Sequence, residues 1–137
     1  PKPGSGLLAA LHAELIDDPQ AATPDFRSAL AYGRDAGTTR LMRAMFRIAE
    51  VRGAVLRALD TCDVLLLPTA PQRAFLHGTK VPPDQADFCA PANMAGLPAI
   101  AFPWPAADGG LPCSIQLIGR PYAEAQLVAL AEALSAP

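Results

Sequence analysis

The proline-rich stretch FCAPANMAGLPAIAFPWP, residues 88–105, restricts the fold more than any other part of the sequence. A helix over Phe88–Ala95 must end at Gly96, and Pro98 stands in the usual place for a proline just beyond a helix end. Pro91 is tolerated in that helix only within its first turn, where a missing N–H leaves no bond unmade. The stretch has almost no side chain capable of acid–base chemistry, so it predicts a structural hinge between a short helix and a strand.

Three short apolar segments predict strands. They are Val64–Leu67, closed by Pro68; Ala99–Phe102, between Pro98 and Pro103; and Cys113–Ile118, closed by Gly119 and preceded by a turn at residues 108–110. Because Val64–Leu67 is continuously apolar, we interpret it as a central strand covered on both faces. We expect Gln116 to be a buried amide with its hydrogen bonds satisfied. Asn93 is expected to satisfy backbone groups within the hinge.

Helical signals dominate the first sixty residues and return at the end of the chain. The segments are Leu7–Leu15, Pro24–Tyr32 with a stop at Gly33, Thr38 to about residue 60, and Ala123–Leu134. Thr23 offers an N-cap hydroxyl, and Pro24 stands in the first helical position. Gly53 interrupts the third helix at a cost of about 1 kcal/mol relative to alanine, which indicates a close contact or a slight bend. Helices followed by strands, with a helix between two of them, predict an α/β fold.

The segment between the first two strands, residues 69–87, has no convincing period and contains three prolines and Gly78. Loops of this length are uncommon inside a compact domain and are usually either functional or disordered. We therefore place candidate substrate contacts in and beside it.

Composition excludes several classes of protein. The chain has 137 residues, the size of one domain, and 51% of them are apolar. A net charge of −2, without clusters of basic and aromatic residues, argues against nucleic-acid binding, and no apolar run is long enough to span a membrane. Three cysteines without C-x-x-C spacing fit reduced, buried thiols in a cytoplasmic protein, with no metal site and no cofactor. Residues 1–6 predict a flexible lead-in to a single domain over residues 7–137.

Catalytic groups are scarce in this sequence. No serine lies in a G-x-S-x-G elbow, and adjacent Asp17 and Asp18 are typical of a turn. Cys89 and His77 could form a catalytic cysteine–histidine pair, but a buried cysteine usually behaves as a small apolar residue. The sequence therefore offers no complete catalytic set.

Three motifs, in this order, resemble the C-terminal third of the amidase signature family. They are DVLLLPTAP (63–71), FCAPANMAGLPAIAFP (88–103) and GLPCSIQLIGRP (110–121), followed by a closing helix with Glu124 and Leu127. The resemblance implies a mixed sheet flanked by helices. It also implies a parent enzyme that hydrolyses amide C–N bonds with a serine, a second serine in a cis peptide bond and a lysine. Those residues belong to a portion N-terminal to these motifs, so we expect this chain to hold no catalytic residue and to be inactive alone.

The candidate residues fall into two groups. The candidate substrate-binding residues are Phe75, His77, Asp87, Phe88 and Cys89. The structural motif residues are Asp63, Pro68, Thr69, Asn93, Gly96, Pro98, Gln116 and Gly119. Cys89 and Ser114 depart from the residues common in relatives, which have a hydroxyl and a glycine there. Asp87 is offset by one residue from the substrate-binding aspartate of glutamine-directed relatives, and its alternative role is an N-cap for the helix at residue 88.

Two hypotheses of different classes follow. In the first, the chain is part of an amidase: its partner is the N-terminal catalytic portion, its substrate is a small-molecule amide, and the loop 69–87 forms one pocket wall. In the second, the chain is a free-standing, non-catalytic interaction domain that forms a homodimer or complex through an exposed apolar face.

Overall fold

A computed structural model of the chain describes residues 9–15, 18, 20, 23–106 and 108–135. The lead-in, the first residues of the predicted helix at 7–15, and Asp17 lie outside the described residues. The chain divides into two compact units, residues 1–50 and residues 51–137.

The first unit is helical. Residues 9–11 are helical, and a 3₁₀ turn follows at Ala13–Leu15. Helix α1, Pro24–Arg34, starts as predicted: Thr23 Oγ1 accepts a hydrogen bond from the Phe26 N–H at 3.3 Å, and proline occupies the first turn. The helix runs through Gly33, because the C-cap is Asp35, whose N–H donates to the Ala31 carbonyl.

Helix α2, Thr38–Leu59, contributes residues to both units. Its predicted bounds are confirmed to within a residue. A Cβ built on Gly53 would meet only the end of the Arg57 side chain among the described residues, at 3.2 Å. No packed neighbour therefore explains the glycine.

The second unit is built on a three-stranded antiparallel sheet. The strands are β1, Val64–Pro68; β2, Ala99–Trp104; and β3, Cys113–Gly119, in the order β1-β3-β2. The interpretation of Val64–Leu67 as the central strand is wrong for the described residues: β1 pairs only with β3, and Leu66 is 58% exposed. Among the described strands, β3 is central, because it has a hydrogen-bonded neighbour on each side.

Helices cover both faces of this sheet, which confirms the α/β class. On one face, Leu117 and Phe102 pack against Leu127 and Ala131 of helix α4, Glu124–Ser135. On the other, Leu65 packs with α2 residues and with helix α3, Ala90–Ala95. The three strands pair only antiparallel, so the mixed pairing implied by the family resemblance is not found within them.

The hinge forms as the prolines predict, with a later helix start. Gly96 ends α3 in the left-handed conformation at φ 63°, and Pro91 falls in the first turn. The N-cap is Cys89, without a side-chain cap bond, and residues 83–89 form consecutive turns. The alternative role of Asp87 as an N-cap is therefore wrong, because the helix begins three residues after it.

Candidate functional site

A cleft of about 370 Å³ lies beside α3 in the second unit. Its polar lining comes from Thr69, Cys89, Asn93 and Gln116. Small and aliphatic side chains complete it: Ala92, Leu97, Ala99, Ile100 and Ala101. Concave sites of this size with a few convergent polar groups are the usual form of small-molecule pockets.

The buried polar group of the cleft is Gln116, only 3% exposed on the central strand. Its Nε2 donates to the Pro68 carbonyl at 3.0 Å and to the Phe88 carbonyl at 2.7 Å. The prediction of a satisfied buried amide is therefore confirmed.

A second group of polar atoms lies where β1 ends. Ser114 Oγ is 2.9 Å from Thr69 Oγ1, and the Thr69 N–H donates to the Ser114 carbonyl at 2.8 Å. Cys89 Sγ donates to the Thr69 carbonyl at 3.2 Å. These contacts tie the start of α3 to the β1–β3 ladder, and none of them joins a hydroxyl or thiol to a base.

Asn93 acts as predicted, because its Nδ2 donates to the Cys89 carbonyl at 3.1 Å, one turn back. Pro98 and Gly119 are joined by a backbone bond of 3.0 Å that extends the β2–β3 ladder. Asp63 lies 3.8 Å from Arg120, whose Nη2 also donates to the Leu59 carbonyl. Pro98, Gly119, Asp63 and Arg120 lie at the strand ends and are not part of the cleft lining.

Of the five candidate substrate-binding residues, only Cys89 lines the cleft. Phe75, His77, Asp87 and Phe88 have exposed side chains, and Phe88 contributes its backbone carbonyl to Gln116. Their role as substrate contacts stays a prediction. The described structure gives no hydrogen bond between Cys89 and His77, since the thiol donates to Thr69.

The loop 69–87 contributes only its first residue, Thr69, to the cleft lining. Near its start, the loop is held by Arg73, whose Nη1 contacts both carboxylate oxygens of Asp108, at 2.9 and 3.1 Å. The Arg73 guanidinium, followed by the Gly110 N–H, lowers the pKa of Asp108, and the same ion pair raises the pKa of Arg73. Sequence reasoning missed this contact, because its partners are 35 residues apart and neither belongs to a periodic pattern.

The described residues hold no group of three His, Cys, Asp or Glu side chains arranged for a metal ion. The same part of the chain has no helix long and apolar enough to cross a membrane. The three cysteines are unpaired, as predicted, but the prediction that they are buried is wrong. Cys62 and Cys89 are half-buried, and Cys113 is exposed because it begins β3 next to a surface turn. The cleft lining is uncharged, and its Gln116, Asn93 and Cys89 side chains already donate to backbone carbonyls.

The family model described as Amidase matches residues 20–128. Among curated proteins, a glutamyl-tRNA(Gln) amidotransferase subunit from Xanthobacter autotrophicus is 38% identical over 99 residues, which cover 64% of this chain and 20% of that protein. The chain therefore spans about a fifth of the length of this relative.

Two solved structures are similar over most of the chain. A crystal structure of an amidase superposes with a TM-score of 0.76 and 25% identity, covering 94% of this chain and 33% of the other. A glutamyl-tRNA(Gln) amidotransferase subunit from Thermotoga maritima gives a TM-score of 0.62 and 26% identity, covering 90% and 30%. The described elements thus correspond to about a third of these larger chains.

Proposed function

Because this chain belongs to the amidase signature family, we propose that it is the C-terminal part of an enzyme that hydrolyses amide C–N bonds. In this proposal the catalytic serine, cis-serine and lysine lie outside residues 1–137. The chain supplies the hinge, part of the sheet and one wall of the substrate pocket. Its coverage of only 20% to 33% of its relatives supports this division of roles.

One observation carries the proposal: the residues that match the family contain very few serines and lysines, the residue types that amide hydrolysis in this family needs. Residues 20–128 contain one lysine, Lys80, and two serines, Ser28 and Ser114. Lys80 is exposed in the loop 69–87 and Ser28 is exposed on α1. Among the described residues, Ser114 Oγ bonds to Thr69 Oγ1 and to the Phe102 carbonyl, and neither group can act as a general base.

Exposed apolar side chains in the second unit indicate that a partner covers them. We propose that this partner is the N-terminal catalytic portion of the same enzyme. In the loop 69–87, Leu76 is 79% exposed and Val81 59%. At the sheet edges, Leu66 is 58% exposed on β1 and Trp104 is 42% exposed on β2. Unpaired strand edges with large apolar side chains are an aggregation hazard unless another element covers them.

The pocket wall in this proposal is the cleft lining rather than the body of the loop. Its amide, thiol and hydroxyl groups carry no charge, and the small alanine side chains beside them leave space for a ligand. Asn93 Nδ2 uses one of its two hydrogens on the Cys89 carbonyl, and the other can donate to a carboxamide while the attacking groups approach from the absent portion. We propose small-molecule amides as substrates on this basis.

An amide-hydrolysis assay tests the proposal. The protein from the full reading frame that encodes residues 1–137 is compared with residues 1–137 alone, by ammonia release from a panel of primary carboxamides, with intact mass measured for both. We expect activity only in the longer protein. Comparable hydrolysis by residues 1–137, or a reading frame with no upstream coding sequence, would overturn the proposal and favour the free-standing interaction domain.

A further inference from the structure

The two ends of the loop 69–87 lie close together within the second unit. Its two flanking carbonyls, those of Pro68 and Phe88, both accept hydrogen bonds from one atom, Gln116 Nε2, at 3.0 and 2.7 Å. A carboxamide NH₂ group has two hydrogens, so both of its donors are used at the neck of the loop.

The position of Gln116 is fixed by its neighbours in the sheet. It lies on the central strand, paired with Leu67 of β1 on one side and Ala101 of β2 on the other. Its side chain is nearly excluded from water, so losing it would leave carbonyl groups at the neck without their donor.

The Cys89 thiol also joins the two ends of the loop through its bond to the Thr69 carbonyl, but a thiol is a weak donor. The remaining side-chain bonds made by the loop are exposed. Gln72 Nε2 donates to Gln85 Oε1 at 3.0 Å between solvent-facing side chains, and Arg73 pairs with Asp108 at the surface. Exposed polar pairs contribute little to stability because water competes for both partners. The buried amide is therefore the contact that most strongly determines where the loop begins and ends.

We propose that Gln116 is a positioning residue that clamps both ends of the loop 69–87 and thereby fixes the cleft lining at Thr69 and Cys89. The clamp itself does not depend on any activity. Its consequence for substrate binding rests on the proposed amidase function: releasing the clamp displaces the pocket wall, so it raises KM more than it lowers kcat.

Hydrogen exchange measured by mass spectrometry tests the clamp in the protein made from the full reading frame. Gln116→Met removes both donors at similar volume. We expect the backbone amides of Thr69 and Ala90 to exchange on the order of tenfold faster than in the wild type, because two hydrogen bonds no longer oppose local opening. Trypsin should also cut faster after Arg73 and Lys80.

Ile118→Val is the matched control, because Ile118 is fully buried on the same strand and makes no hydrogen bond to the loop ends. It should leave exchange at Thr69 and Ala90, relative to the rest of the sheet, unchanged. The proposal is overturned if Gln116→Met accelerates the loop ends and the whole sheet by the same factor, or accelerates neither.

The wild-type protein supplies a second measurement if Gln116→Met does not fold. Thr69 and Ala90 should exchange at least about tenfold more slowly than residues 74–80, because the clamp opens less often than the loop tip. Equal rates at the neck and the tip would contradict the clamp. If the protein from the full reading frame does not hydrolyse amides, the proposed function is refuted. The exchange rates still decide whether Gln116 clamps the loop, because they do not depend on activity.

Discussion

Replacing Gly119 with alanine tests the close approach of β3 to α4. A Cβ at this position would lie 3.1 Å from Leu127 Cδ2 and 3.2 Å from Ala123 Cβ. Carbon atoms prefer separations of about 3.5–4.0 Å. Leu127 is 2% exposed within the core and Ala123 Cβ is fixed to its backbone, so neither neighbour moves easily.

The expected loss of stability follows from this crowding. Overpacking of a filled core costs about 1–3 kcal/mol. Alanine gives the unfolded chain less conformational entropy than glycine, which offsets about 0.4–1 kcal/mol of this loss. Gly119→Ala should therefore lower the free energy of unfolding by about 1–2 kcal/mol.

Gly53→Ala is the matched comparison, because it adds the same methyl group where space is available. Its Cβ would meet only the flexible end of Arg57, and its backbone is in the interior of α2. Alanine is favoured over glycine in a helix interior by about 0.5–1 kcal/mol, so this variant should gain stability.

Urea unfolding followed by circular dichroism measures both variants. With a slope of about 2 kcal/mol per molar urea, Gly119→Ala should lower the midpoint by about 0.5–1 M, and Gly53→Ala should raise it by about 0.3–0.5 M. A midpoint for Gly119→Ala at or above that of Gly53→Ala would refute the packing argument.

Three other perturbations test separate contacts. Gly96→Ala should cost about 1–2 kcal/mol in urea unfolding, because the residue is left-handed at φ 63°, whereas Gly96→Asn should cost less, since asparagine tolerates this region; equal losses would argue against backbone strain. Leu127→Ala should cost about 2–5 kcal/mol, because it removes a fully buried side chain from the core cluster on α4; a loss below about 1 kcal/mol would contradict that packing. Arg73 lowers the pKa of Asp108, so their ion pair is fully formed at pH values above the ordinary aspartate pKa and is lost as the pH falls through the lowered pKa. In Arg73→Gln, an NMR titration should show a higher titration midpoint for Asp108. An unchanged midpoint would refute the pairing.

Local signals explain what the sequence predicts well. Thr23 with Pro24 starts α1, and Gly96 ends α3, because each of these residues acts on backbone groups within a few positions of itself. The helical and strand periods similarly locate the second helix and all three strands. The buried role of Gln116 is also predictable, since a lone amide in an apolar strand must find partners.

Long-range contacts explain what the sequence does not predict. The run Val64–Leu67 is apolar on both faces, yet its position in the sheet depends on pairing with β3, about fifty residues later along the chain. Arg52 donates to the Ala95 carbonyl at the end of α3, and no sequence pattern links them. The cleft itself combines residues from the end of β1, from α3, from β2 and from β3, so its lining could not be identified before the register was known.

Mapping a fluorophosphonate adduct tests most directly whether this chain lacks the catalytic serine, because such reagents react readily with serine hydroxyls that are activated as nucleophiles. The protein from the full reading frame is labelled, digested and analysed by peptide mass spectrometry. We predict one adduct, on a serine N-terminal to residue 1, and an unlabelled 137-residue segment. An adduct on Ser114, or on any other serine within this chain, would contradict the account.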